Sequence, residues 1–176
     1  MPLRLSLEAV RPARVPRTRR SGNAGAGFRL VVGGEIPIEP DDPLLAAYGA
    51  WVVSLADTAR HIDALQDAGF APGRELTLEP AQDECDRNVV RVLDAAGVLV
   101  AGHVAREHAA RVAAALEHGL ELLGIALWER RDLLTGERTG LRALVAPAAF
   151  VDVTPPELAP PQVERFPEPR RVVLAV

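Results

Sequence analysis

Four histidines, one cysteine and a surplus of carboxylates are the side chains here that could do chemistry. A zinc site needs three or four ligands converging on one point. His103 and His108 stand five apart, a spacing that does not place them on one helix face, and His118 lies ten further on. A nucleophilic thiol would pair Cys85 with His103 as base and an acid such as Asp86. Asp83, Glu84 and Asp86 crowd that thiol with negative charge, which favours the protonated, unreactive form. The glycines from Gly22 to Gly27 are not followed by the Lys-Ser/Thr of a phosphate loop, and Gly33-Gly34 lacks the spaced third glycine of a dinucleotide loop. These residues predict a non-enzymatic protein with no metal and no cofactor.

The elements that must position these groups follow from pattern. A chain of 176 residues that is 48% hydrophobic can bury a proper core. One cysteine excludes an internal disulfide and a multi-thiolate cluster, and fits a reducing cytoplasm. All 20 basic residues are arginine. Met1 to Arg29 holds seven Arg and one Glu, about +6, so with a formal net charge of −4 the remainder carries about −10. An acidic folded part argues against a broad duplex-DNA face, because counterion release at many phosphates supplies that affinity.

Met1 to Val10 alternates Leu with polar residues and reads as a short strand. Arg11 to Arg20 and the Gly/Ala/Asn run to Gly27 read as a basic arm and linker, either lying on nucleic acid or simply solvated. Arg19-Arg20 is not followed by an apolar run, so no secretion signal is read there. Phe28 to Val32 is the first core strand. Asp42-Pro43 suits a helix start, with Asp as cap and Pro at the first position. Leu44 to Ala56 is apolar core, too short to span a membrane. Ala56 to Asp67 has helical period. The strand signals at Leu76–Leu78, Val89–Leu93 and Val98–Ala101 make a meander whose third strand delivers Gly102-His103 to its end. A helix from Val104 to Gly119 follows, then strands at Leu120–Trp128 and Leu141–Val145 joined by a hairpin tip at Thr135–Arg138. The expected fold is mainly β with packed helices (α+β), a small, partly closed OB-like antiparallel β-barrel. The boundaries read are an arm and linker at 1–27, the barrel domain at 28–146 and a Pro-rich tail at 147–176, in which Arg171–Leu174 could pair with Met1–Val10.

A strand ending in Glu79-Pro80, an acidic turn containing Asp86-Arg87-Asn88, a Val-rich strand, a Gly turn, Gly102-His103 and an Ala-rich helix together resemble the HIRAN domain. The resemblance covers roughly Phe28 to Val145. It implies a module that binds single-stranded DNA at a free 3′ end, as in DNA repair or the processing of stalled replication. In that family the terminal base stacks on aromatic side chains and a carboxylate holds the 3′-hydroxyl. Carried over, Asp86 would contact the hydroxyl, Asn88 is the turn Asn, His103 faces the pocket and Arg106 contacts phosphate. Cys85 stands where a Tyr commonly precedes the Asp, and Ile36, after Gly33-Gly34-Glu35, where a second Tyr is expected. Stacking contributes roughly 1–3 kcal/mol per base, so weak binding is expected. Asp86 and Asn88 equally suit capping the turn through side-chain to backbone hydrogen bonds. The alternative is a protein-interaction or assembly module that keeps the fold without binding DNA.

Overall fold

Extended segments dominate, and glycine or Asx turns set their order. The computed structural model describes residues 2–10, 23–81 and 88–154. The chain begins with β1 (Leu3–Val10), β2 (Asn23–Val32), β3 (Ile36–Ile38) and α1 (Pro43–Ala47). Next come β4 (Trp51–Ala56), a 3₁₀ turn (Thr58–His61) running into α2 (Ile62–Leu65), and a second 3₁₀ turn (Ala68–Phe70). Strands β5 (Glu75–Pro80), β6 (Val90–Asp94) and β7 (Val100–Val104) lead into α3 (Arg106–Glu117). Strands β8 (Leu122–Asp132), β9 (Arg138–Pro147) and β10 (Val151–Thr154) complete the fold.

Pairing runs β8–β5–β6–β7–β4–β9, and β9 returns to β8, so six antiparallel strands close a barrel without a free edge. The expectation of partial closure is thus exceeded. Strand β8 is long enough to serve twice. Gly124 and Ile125 pair with β5, while Trp128 to Asp132 pair with β2. From β2 an annex grows outward: β1 lies antiparallel beside β2, β10 lies parallel beside β1, and β3 folds back on β2.

This arrangement makes two apolar cores. Val53, Leu65, Phe70, Val90, Val92, Val112 and Val145 fill the barrel and the space under α3. Leu5, Phe28, Leu30, Leu45, Ile125, Leu127 and Leu144 fill the space between the annex and the outer wall of β8 and β9. Those two strands are covered on both faces. Ala126, Ala143 and Val145 point in, whereas Ile125, Leu144 and Ala146 point out, and continuous apolar runs replace alternation. Burying a leucine contributes about 1.5–3 kcal/mol, so both cores matter.

Several expectations are corrected. The segment read as linker is strand from Asn23 onward, because its glycines serve packing: a Cβ on Gly25 would fall 2.3 Å from the Trp128 indole, and one on Gly27 would fall 2.1 Å from the Leu127 carbonyl. The Pro-rich tail contributes β10, whose parallel pairing occupies the β1 edge at Leu3–Ser6. Arg11–Arg20, Cys85, Asp86 and Arg171–Leu174 lie outside the described residues. The run from Leu44 to Ala56 is divided by Gly49, at φ +67°, into α1 and β4. Asp42 does cap α1, accepting the Leu44 N–H at 2.8 Å. The helix read from Ala56 reduces to short turns, since Leu55 and Ala56 pair with β7 and Asp57 is left-handed at φ 57°. The third strand starts at Val100 instead of Val98, and the helix after it starts at Arg106 because Val104 stays in β7. Leu76, Val90, Val92 and Val112 are buried as expected, while Leu78 and Leu116 are only partly covered. Helix α3 ends in a Schellman arrangement, Leu120 N–H to Ala115 C=O and Gly119 N–H to Leu116 C=O, with Gly119 at φ +74°. No described helix is long and apolar enough to cross a membrane.

Candidate nucleic-acid interface

His103 sits within β7, not at its end, and its placement depends on the residue before it. Gly102 has φ +150°, and a Cβ there would meet the Ala56 carbonyl at 2.4 Å, so only glycine lets β4 and β7 approach this closely. Alternation then turns Gly102 and Val104 toward the core and His103 outward. Its side chain keeps 26% of its exposure, and its Nδ1 lies 3.6 Å from a carboxylate oxygen of Asp57. The His61 ring meets His103 edge-on at 6.0 Å between centroids.

Across the sheet, Arg91 is directly opposite His103 and pairs with Glu79 at 3.3 Å. The Arg91 Nε is buried without a hydrogen-bond partner. Asn88 is exposed just ahead of β6, and Arg106 is exposed at the first turn of α3. Ala105 at the N-cap offers no side-chain acceptor, so the first N–H groups of α3 add positive potential beside Arg106. The antiparallel pairing gathers Asn88, His103 and Arg106 at one end of the β6–β7 pair. The Ala81 N–H donates to the Val89 carbonyl at 2.8 Å, which extends the β5–β6 pairing at this end.

Ile36 does not belong to this group. It is 64% exposed on β3, which pairs only with β2 in the annex. The residues facing His103 are instead Asp57 and His61, which the sequence reading placed in a helix. Nothing in their spacing reveals them, because a left-handed Asp and a 3₁₀ turn have no periodic signature. Arg91 was legible in principle, since Val90 and Val92 point inward on either side of it.

A buried ion pair holds the segment carrying His61. Arg138 donates to Glu129 at 2.7 Å, and their side chains are only 3% and 8% exposed. Arg131 also donates to Glu129, with Nη2 at 3.1 Å from Oε2. Arg138 Nη1 further donates to the Leu65 and Asp67 carbonyls. The Gln66 amide donates to the Arg138 carbonyl at 2.9 Å and accepts the Arg138 N–H at 2.7 Å, tying α2 to β9. The other two histidines stand apart from His61 and His103: His118 Nδ1 lies 2.6 Å from the Ala114 carbonyl, and His108 Nδ1 is buried without a partner. Among the described residues no three His, Cys, Asp or Glu side chains gather as a metal cluster would.

No family model matches this sequence, and no curated protein matches it. Two solved structures are similar. One is a protein from Lactobacillus plantarum determined by a structural genomics consortium, with a TM-score of 0.42 and 18% identity over 55% of this chain and 94% of that one. The other is the HIRAN domain of human HLTF, with a TM-score of 0.42 and 12% identity over 58% of this chain and 79% of that one.

Proposed function

We propose that this protein is a non-enzymatic module that binds the 3′ end of a single DNA strand at the end of the barrel marked by His103. The observation that carries the reading is the gathering of Asn88, His103 and Arg106 at one end of the β6–β7 pair, beside an α3 N-terminus without a side-chain cap. Arg106 and the helix end suit a phosphate, and the His103 ring offers a face for a base. Asp86, in the sequence between Ala81 and Asn88, is the carboxylate we assign to the terminal hydroxyl. With histidines as the rings beside it, the site is weak and is best measured at low salt.

The test compares strands ending in a 3′-hydroxyl and a 3′-phosphate. Deleting 1–27 would remove β1 and half of β2, so the arginines from Arg11 to Arg20 are replaced by Gln instead. A hydrogen bond to an ionised acceptor contributes about 1.5–3 kcal/mol, so the hydroxyl end should bind about tenfold tighter or better. Asp86→Asn should abolish that preference, and His103→Ala should weaken both strands. Equal binding of the two ends, or binding of neither, rejects DNA-end recognition in favour of a protein-interaction module.

A further inference from the structure

A second basic surface lies on the same outer wall, three strands away from His103. On β8 and β9, Trp128 and Arg142 are cross-strand partners, and Arg130 is opposite Gly140. These residues, with Gly25 and Ser54, line a trough of about 470 Å³ in which no carboxylate takes part. Arg130 makes only long contacts, 3.4 and 3.5 Å, to Thr139, and neither Arg130 nor Arg142 pairs with a carboxylate among the described residues. Arg29 and Arg91, by contrast, each pair with a glutamate of their own, and Arg131 and Arg138 share Glu129. Two glycines shape the floor. The Trp128 indole lies across Gly25, where a Cβ would be 2.3 Å from the ring, and the Arg130 guanidinium lies over Gly140, where a Cβ would be 3.3 Å away.

The sheet register connects this trough to the first site. Arg91 is opposite His103, and His103 is opposite Ala56 on β4. Two residues back along β4, on the same face, Ser54 is opposite Arg142, which is opposite Trp128. With strands about 4.8 Å apart, the path from His103 to Trp128 crosses roughly 15 Å of outer wall. A barrel of this size engages about 4–16 nucleotides of single strand, so one strand can cover both.

We propose that the Trp128–Arg130–Arg142 trough binds the internal nucleotides of the same single strand, phosphates on the two arginines and a base on the indole. This rests on the end-binding reading for the strand's other contact, while the trough's own chemistry is independent of it. Cations without carboxylate partners among the described residues, beside a half-buried indole that opens on the trough, fit a polyanion with π-faces, and every base stacks, so the contact is indifferent to sequence.

The experiment measures binding of oligothymidylates of three and eight nucleotides, both with 3′-hydroxyls, to the full chain at several low salt concentrations. The wild type should bind the longer strand at least tenfold tighter. Arg130→Gln with Arg142→Gln should erase that gain, leave the shorter strand unaffected and flatten the slope of log affinity against log salt by about 1.4. Trp128→Leu should cost the longer strand about tenfold and Trp128→Phe much less, with circular dichroism confirming that each variant folds. An equal loss on both lengths, or a length gain that survives the double arginine change, overturns the inference and leaves end binding standing. If the longer strand depends on Arg130 and Arg142 but not on His103, the trough stands and the end-binding reading falls. A wild type that binds neither strand overturns both.

Discussion

The barrel interior and the annex core share β8 and β9 as a common wall, yet they are closed in different ways. The barrel is sealed by hydrogen bonds around a ring of six strands and by α3. At one end it is finished by Glu129 and Arg138, which bind each other and the backbone of Leu65 and Asp67. The annex has no such ring. It is an apolar layer held by β1, β2 and β10 lying over Ile125, Leu127 and Leu144. A closed barrel satisfies its own edges, whereas an annex persists only while a separate stretch of chain covers it. The outer wall therefore decides how much of the chain must stay folded for any binding surface to exist.

Removing residues 1–32 is the harshest way to break this comparison. It strips β1 and β2, bares the outer side of β8 and β9 and leaves β10 unpaired. The truncated chain is expected to lose its cooperative melt and to aggregate, followed by circular dichroism and light scattering. A melt with an unchanged midpoint would make the annex an accessory and the barrel self-sufficient.

A smaller change addresses the barrel's end. Glu129→Ala leaves Arg138 buried without its counter-charge, which should cost about 3–5 kcal/mol in denaturant unfolding. Replacing both, Glu129→Leu with Arg138→Met, should recover most of that loss. Failure of the double variant to recover would assign the pair a role in holding α2 and His61 beyond charge balance.

The smallest effect lies in two turns. The Asp94 carboxylate accepts the Leu99 and Val98 N–H groups, and Asp132 accepts those of Thr135 and Leu134; both are held below their ordinary pKa of 3.8 by these bonds, in that order of weight. A depressed folded-state value means the stabilisation is complete above the unfolded value and is lost as pH falls below it through the folded value. Asp94→Asn and Asp132→Asn should each flatten the loss of stability below about pH 4. An unaltered acid limb in both variants would show that these turns form equally well without the charge.

Much of the barrel was legible because its meander obeys local rules. Leu76, Val90 and Val92 keep a period of two, the Asp94 to Gly97 turn is an Asx-Gly signal, and Gly119 stops α3 where a left-handed residue is needed. The annex was not legible, for a physical reason visible at Gly25 and Gly27. Glycine before a strand reads as flexibility, and only the arrival of Trp128 and Leu127 from a hundred residues away shows that the missing side chain is space already taken. Arg138 misleads in the same way: at a hairpin tip it reads as solvated, and Glu129 with the carbonyls of Leu65, at the end of α2, and of Asp67 just beyond it makes it core.

At the candidate site, the sequence by itself determined which residues could meet a strand end. His103 follows a glycine, Asn88 stands at a turn and Arg106 opens a helix, each a consequence of neighbours in the chain. Only the tertiary structure decided what surrounds them. Asp57 and His61 come to His103 from the turn that follows β4, Ile36 is carried off on β3, and Trp128, Arg130 and Arg142 reach the same outer wall through strand register. Register between distant strands is set by which faces find a core, and a single strand's pattern does not name its partner.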